Sequence, residues 1–506
     1  MKEIIPIKSA AGNTYFCSLK NKKTFFVHPL IQYFHKLYKE GKDVTQWCKN
    51  ISEFPLSIEE VGTFTQNEIE YNIAKFQMML QEGCFETYDN SKRIGKKITA
   101  EAIKKGLANV DHVILELTDQ CNLNCAYCGY GKYYEGVFDD RTNKYLDPEV
   151  AKNFLRNLIS YWNSTYNSSH GRIINISFYG GEPLLNFPLI QELVSFVKSC
   201  DLQHNSINFS ISTNGVLIDK YLDYIVENEI NLAVSLDGDL QSNSFRVFHN
   251  NKESYTKIIQ NIDLIKEKYP EYYIQRVSFC SVLHSRNSVE GIHKYFKEEH
   301  DKVAHIAELK KDGLSKEHEA EFWKMFNRLG SGFQNQTKEQ EKDLFDQSPT
   351  ANGVASFLHK YNDYCFNNYN DLYFNKQEIE RTPTRTCIPF AKKVFLTVNG
   401  KMLPCETISH DYTMGLVTPD SFEVDFEAIE KKYDRYFEKI KQQCKHCYYV
   451  ESCHKCIFDF DIDGDRVICD TFMNKKNFSG FLSNQVNFIE TNREKYPVIL
   501  EETQYE

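Results

Sequence analysis

Between residues 112 and 309 short apolar runs alternate with amphipathic stretches, and no other feature limits the fold of this 506-residue chain so tightly. Runs at 112–117, 173–178, 207–212, 232–236, 276–283 and 303–309 read as strands, with helices at 148–161, 189–198 and 221–228 among the intervening stretches. A strand-then-helix repeat of this kind implies an α/β fold with a parallel sheet and crossover helices. Such folds place their chemistry at the C-terminal ends of the strands, and the informative motifs of this chain fall there.

The chain holds 16 cysteines. Five of them (Cys17, Cys48, Cys84, Cys200, Cys280) are scattered and read as small buried hydrophobes. The others are Cys121, Cys125 and Cys128, then Cys365, Cys387, Cys405, Cys444, Cys447, Cys453, Cys456 and Cys469. In a reducing compartment, clustered thiols read as metal ligands or catalysts rather than disulfides. The loop Cys121-Asn-Leu-Asn-Cys125-Ala-Tyr-Cys128 follows the first strand. Three thiolates so spaced can wrap one face of an iron–sulfur cube, and since such clusters take four ligands, one iron stays open. A zinc site with a distant fourth ligand is the alternative, although zinc favours C-x2-C pairs.

Residues 1–87 read as a winged-helix-like unit. A hairpin is expected at 15–19 and 24–28. Pro29 suits the start of a helix carrying Leu30, Ile31, Phe34, Leu37 and Tyr38 on one face. A second helix begins at the capping box Thr65-Gln66-Asn67-Glu68, bears Ile69, Ile73, Phe76 and Leu80, and stops at Gly83. A three-strand, three-helix unit can offer a sheet edge to an extended peptide, or be a plain accessory domain. Residues 88–110 are a Lys-rich linker, and such charge runs usually mark a solvated face. Asn399-Gly400 marks a hairpin between 394–398 and 401–403.

Lys and Arg total 60 against 70 Asp and Glu, a net charge of −10. That balance argues against a dedicated nucleic-acid binder. No apolar run approaches the roughly 18 residues of a membrane span, and the N-terminus lacks a signal-peptide core. A cytoplasmic location is expected, with neither nucleic acid nor membrane as partner.

Cys-x3-Cys-x-aromatic-Cys, with Tyr127 before the last cysteine, resembles the signature of the radical S-adenosylmethionine (radical SAM) superfamily. The resemblance extends to Gly180-Gly181-Glu182-Pro183 after the second strand, similar to the family motif that meets the SAM amino group. Two glycines allow close backbone approach, Glu182 supplies an acceptor, and Pro183 opens a helix. Ser212-Thr213-Asn214-Gly215 and Ser235-Leu236-Asp237-Gly238 end the third and fourth strands. The resemblance implies that Ser212, Asn214, Ser235 and Asp237 contact the SAM carboxylate and ribose. It implies that Arg246 pairs with the carboxylate, a task suited to a guanidinium fork. Taken singly, each polar strand end could be a local cap.

Cys387-x12-Gly400-x4-Cys405, then Cys444-x2-Cys447-x5-Cys453-x2-Cys456 and Cys469, resembles the SPASM domain, which holds two auxiliary iron–sulfur clusters. The resemblance assigns Cys444, Cys447, Cys453 and Cys469 to one cluster and Cys387, Cys405 and Cys456 to the other. This chain has two residues where the family usually has three between Cys453 and Cys456. It has Arg381, Thr382 and Thr384 where the family often has a further cysteine. The second group is therefore three-ligated or completed by Cys365. Taken alone, Cys444/Cys447 with Cys453/Cys456 also fits a zinc ribbon.

The implied architecture is a partial (β/α)6 radical SAM barrel (111–330), a bridging region (331–380), a SPASM domain (381–480) and a C-terminal tail (481–506). The front unit resembles the leader-recognition element of ribosomal-peptide maturases. The resemblance implies three [4Fe-4S] clusters, SAM, a reductant such as flavodoxin or ferredoxin, and a precursor peptide with a leader. The implied reaction cleaves SAM reductively to a 5′-deoxyadenosyl radical and oxidatively crosslinks side chains, by thioether or carbon–carbon bonds. An anaerobic sulfatase maturase forming formylglycine is the alternative. A radical SAM enzyme of a small molecule or RNA, or a non-catalytic peptide scaffold, stands further off. The sequence singles out no catalytic group.

Overall fold

The computed structural model describes residues 2–89, 91, 94–138, 141–311, 313–333, 337–362, 382–384, 386–463 and 466–502. The front unit starts with an antiparallel sheet of β1 (Ile5–Lys8), β2 (Thr14–Ser18) and β3 (Lys23–Phe26), in that order. Helices Pro29–Lys39, Val44–Lys49 and Gln66–Gln81 follow, with a small hairpin of β4 (Leu56–Ile58) and β5 (Gly62–Phe64) before the last. Pro29 occupies the first turn, and Leu30, Ile31, Phe34 and Leu37 are buried. Tyr38, expected on that face, is instead 48% exposed. It follows Leu37 directly and so points about 100° away round the helix. Thr65 and Glu68 form the reciprocal capping box that the sequence predicts.

A second sheet runs through the rest of the molecule. β6 (His112–Thr118), β7 (Ile173–Gly180), β8 (Ser206–Thr213), β9 (Asn231–Ser235), β10 (Val277–Leu283) and β11 (His305–Glu308) pair in parallel, in sequence order. Helices Pro148–Trp162, Phe187–Ser199, Ile218–Glu227, Tyr255–Lys268 and Val289–His300 supply crossovers. Their buried faces include Phe154, Leu193, Leu222, Ile262 and Phe296, packed against strand residues such as Leu115, Ile176, Ile211 and Val234. Each large apolar side chain so buried contributes roughly 1.5–3 kcal/mol.

The cysteine-rich region continues this sheet. β12 (Lys393–Leu396) pairs in parallel with β6, from Lys393 opposite His112 to Leu396 opposite Leu115. β13 (Lys401–Leu403), β14 (Gly415–Val417) and β15 (Phe422–Glu423) then add antiparallel strands. Gly400 turns the β12–β13 connection at φ 77°, and a Cβ there would lie 2.3 Å from the Val417 carbonyl oxygen. A helix crosses the boundary expected between the SPASM domain and the C-terminal tail at 480/481. Helix Lys475–Thr491 places Phe478, Leu482 and Val486 in one core with Ile5 and Ile7 of β1 and Phe357 of helix Pro349–Tyr361. Among the described residues no helix is long and apolar enough to cross a membrane.

Candidate functional site

Side chains alternate along a strand. On β7, Ile174, Ile176 and Phe178 enter the core, while Asn175, Ser177 and Tyr179 take the opposite face. That inner face is polar. Asn175 donates to Ser177 and to Ser210, each at 3.1 Å. At its C-terminal end, Cys121, Cys125 and Cys128 line one cavity of about 210 Å³. Tyr127, Gly180, Gly181, Ser212, Asn214, Ser235 and Arg246, all singled out from sequence, line it too.

The cysteine loop is pinned to the segment carrying Arg246. Asn124 N–H donates to the Val247 carbonyl at 2.7 Å and Ala126 N–H to the Phe245 carbonyl at 3.0 Å. On the other side, Gly181 N–H reaches the Thr118 carbonyl and Glu182 N–H the Gln120 carbonyl, each at 2.8 Å. Here the glycines are required by the backbone. Gly180 has φ 127°, and a Cβ on Gly181 would fall 2.0 Å from the Gln120 carbonyl oxygen. The close approach that the sequence predicts toward a ligand is thus, in the first place, an approach to the start of the cysteine loop.

Glu182 and Asp237 sit behind the cavity wall, both fully buried. Glu182 accepts from Asn214 N–H at 2.7 Å, Thr213 O–H at 2.8 Å and Leu184 N–H at 3.1 Å. Burial raises its carboxyl to about 7 despite those donors. Pro183 opens a buried turn, 183–186, beneath it. Asp237 takes two hydrogen bonds from Arg246, at 3.0 and 3.1 Å, and others from the Tyr127 hydroxyl and Val282 N–H. Burial pushes Asp237 up, but Arg246, His284 and Tyr127 outweigh it and hold it at about 2. Both carboxylates thus hold Asn214, Arg246 and Tyr127 in place.

The residues present fit a thiolate-ligated cluster beside a small zwitterionic ligand. Burial raises the Cys121 thiol, and that of Cys125 to about 12. Ligation would therefore displace protons. Among the described residues no three His, Cys, Asp or Glu side chains converge where one metal ion could sit. A single zinc needs its thiolates about 2.3 Å from a common centre. Asn214 Nδ2 lies 3.7 Å from Cys121 Sγ, and the buried Arg246 offers a cation on the same wall.

The later cysteines gather in two places. After burial, the main cause, Cys453, Cys447 and Cys469 are near enough to raise the Cys444 thiol at the end of helix Phe426–His446. Cys387 and Cys405 likewise act on Cys456. Cys365 and Arg381 lie outside the described residues. Sequence reasoning passed over Glu406, which follows Cys405 and reaches the cavity of the first three cysteines. Its carboxylate accepts from Lys393 at 2.7 Å and from the Cys405 thiol at 3.3 Å. Burial raises it, but Lys393 prevails and keeps it below the usual range. The only available signal was its position beside a candidate ligand.

Three thiols, a diglycine turn and a buried arginine thus meet at the C-terminal ends of one parallel sheet. Residues 115–294 match the Radical SAM superfamily, and the chain carries a radical SAM domain. It is 26% identical over 198 residues to a cysteine-type anaerobic sulfatase-maturating enzyme of Clostridium novyi, covering 38% of this chain and 49% of that one. It is 27% identical over 242 residues to the radical SAM cyclopropyl synthase TigE of Paramaledivibacter caminithermalis, covering 47% and 46%. The chain thus spans about half the length of the curated relatives it matches. Its fold is similar to that of histidine-tagged anSMEcpe with bound AdoMet: TM-score 0.50, 17% identity, 78% of this chain and 95% of that chain.

Proposed function

We propose that the chain is a radical SAM maturase of a ribosomally made precursor peptide, forming a thioether or carbon–carbon crosslink between side chains. The observation that carries this is the shared cavity of Cys121, Cys125, Cys128, Asn214 and Arg246. A [4Fe-4S] cluster held by the three cysteines would supply one-electron reductive cleavage of SAM, giving a 5′-deoxyadenosyl radical able to take a hydrogen atom from an unactivated carbon.

The chain's own residues do the rest. Arg246 offers its charge to the SAM carboxylate while Asp237 and Tyr127 hold it in place. Glu182 fixes Asn214 at the third strand end. Glu406, kept ionised by Lys393, takes the proton that the substrate releases as its new bond forms. Cys387, Cys405 and Cys456, and Cys444, Cys447, Cys453 and Cys469, would hold two auxiliary clusters, as the SPASM resemblance implies, and these would accept the electron that the substrate radical loses as the new bond forms. The front unit would bind the leader and raise the local concentration of the core peptide. A low-potential donor such as flavodoxin or ferredoxin, and a cytoplasmic setting, complete the reading.

The sulfatase-maturating relative supports a protein or peptide substrate, and it keeps a second reading alive, the oxidation of Cys or Ser to formylglycine. Anaerobic incubation of the iron-loaded chain with SAM, dithionite and a co-expressed precursor peptide separates them. Crosslinking removes two hydrogens per link from the precursor. Formylglycine in a sulfatase-type peptide, with no change in the precursor, favours the second reading. Fully loaded, the chain should carry about twelve irons if all three clusters are cubanes.

A further inference from the structure

Cys128 has a neighbour that neither the sequence motifs nor the proposed reaction uses. Arg141 Nη2 lies 3.3 Å from Cys128 Sγ, and its guanidinium carbon is 4.6 Å from the centroid of the Tyr130 ring. Arg141 lines the cavity of the three cysteines. Its Nε is buried and has no hydrogen-bond partner among the described residues.

The side chain is held from both ends. Asp119, buried at the end of β6, accepts Thr142 N–H through one carboxylate oxygen and Lys144 N–H through the other, each at 2.7 Å. That grip fixes the backbone next to Arg141. Tyr130 supplies the flat face, its ring tilted 32° against Phe138 with centroids 5.0 Å apart, and its hydroxyl donates to buried Glu116. Glu116 in turn accepts Val398 N–H at 2.8 Å from the cysteine-rich region. A guanidinium is always charged, and a charge-assisted donor on sulfur favours the more negative state of a thiolate ligand. Hydrogen bonds to ligand sulfurs and nearby charge are among the factors that set cluster potentials.

We propose that Arg141 sets the reduction potential of the cluster held by Cys121, Cys125 and Cys128, favouring its one-electron reduced state. The step concerned is uptake of one electron from a low-potential one-electron donor, with no proton transferred and no bond broken. This rests on the cluster reading of the three cysteines. Arg141 is a positioning and electrostatic residue, since it acts through a ligand sulfur.

The test is an anaerobic redox titration of the iron-loaded full chain against dithionite. It follows by electron paramagnetic resonance the reduced signal that added SAM perturbs, which singles out this cluster from the others. In Arg141→Gln the reduction equilibrium should fall about tenfold, equivalent to about 59 mV for one electron. Arg141→Lys, which keeps the charge, should recover most of that loss. An unchanged midpoint in Arg141→Gln at wild-type iron content overturns the proposal. If Arg141→Gln loads no cluster, Arg141→Lys decides. A wild-type midpoint there supports a role for charge. A shifted one assigns Arg141 to packing on Tyr130 and overturns the proposal. A wild-type chain with no SAM-perturbed signal overturns the cluster reading itself, and this inference with it.

Discussion

Lys2 donates from its ammonium to the main-chain carbonyl of Cys447 and lies 4.9 Å from the centroid of the Tyr448 ring. Residues 445 positions apart in sequence thereby tie the front unit to the loop of a candidate cluster ligand. Lys2 is buried, so this contact is shielded from solvent. Lys2→Met keeps most of the stem and removes the charged donor. The expected loss is about 1.5–3 kcal/mol, read as a lower thermal midpoint of the metal-free chain. An unchanged midpoint would show that the packing of β1 on helices Pro349–Tyr361 and Lys475–Thr491 holds the front unit without this contact.

Gly181 cannot carry a side chain without parting the second strand end from the cysteine loop, because its Cβ would meet the carbonyls of Gln120 and Asp119. Gly181→Ala is expected to cost about 1–3 kcal/mol, as overpacking does. It should also weaken SAM binding, measured by calorimetry on the iron-loaded chain. Wild-type affinity and stability together would refute this reading of the turn.

Glu182 gives a pH dependence whose sign is fixed. Its folded pKa, about 7, lies above its unfolded value of 4.5 because burial disfavours the carboxylate. The resulting stability is complete below about 4.5 and is lost as pH rises through about 7. Thermal midpoints of the metal-free chain should therefore fall between about pH 5 and 8 more steeply than those of Glu182→Gln, which does not titrate. Equal slopes would place the titration elsewhere.

Glu406→Gln removes the proton acceptor while leaving every cysteine in place, although the Cys405 thiol loses its carboxylate partner. Crosslink formation should drop by about 10²–10⁴-fold, the usual contribution of a general base, while 5′-deoxyadenosine release continues. Loss of both products in parallel would assign Glu406 to cluster assembly through Cys405 instead.

Much of the fold was legible because local periodicity carried it. The strand runs expected at 112–117 and 173–178 appear as β6 and β7, and the helix expected at 148–161 appears as Pro148–Trp162. The parallel pairing of β12 with β6 was not legible. The stretch at 394–398 reads as one arm of a hairpin, and nothing local reveals that Leu396 lies opposite Leu115. For the same reason nothing local to 481–506 shows that helix Lys475–Thr491 packs on β1, at the other end of the chain. In the site, the motifs predicted which residues would gather at the strand ends. They did not reveal that Thr213 and Asn214 would satisfy Glu182, or that Arg246 would satisfy Asp237. Buried carboxylates take the nearest donors, and those are set by tertiary contacts.

Cys125 provides the most direct test. The iron-loaded wild type, given SAM and dithionite without oxygen, should release 5′-deoxyadenosine and methionine, and Cys125→Ala should release neither above background while losing about four irons per chain. Undiminished 5′-deoxyadenosine from Cys125→Ala would contradict a SAM-cleaving cluster at these three cysteines.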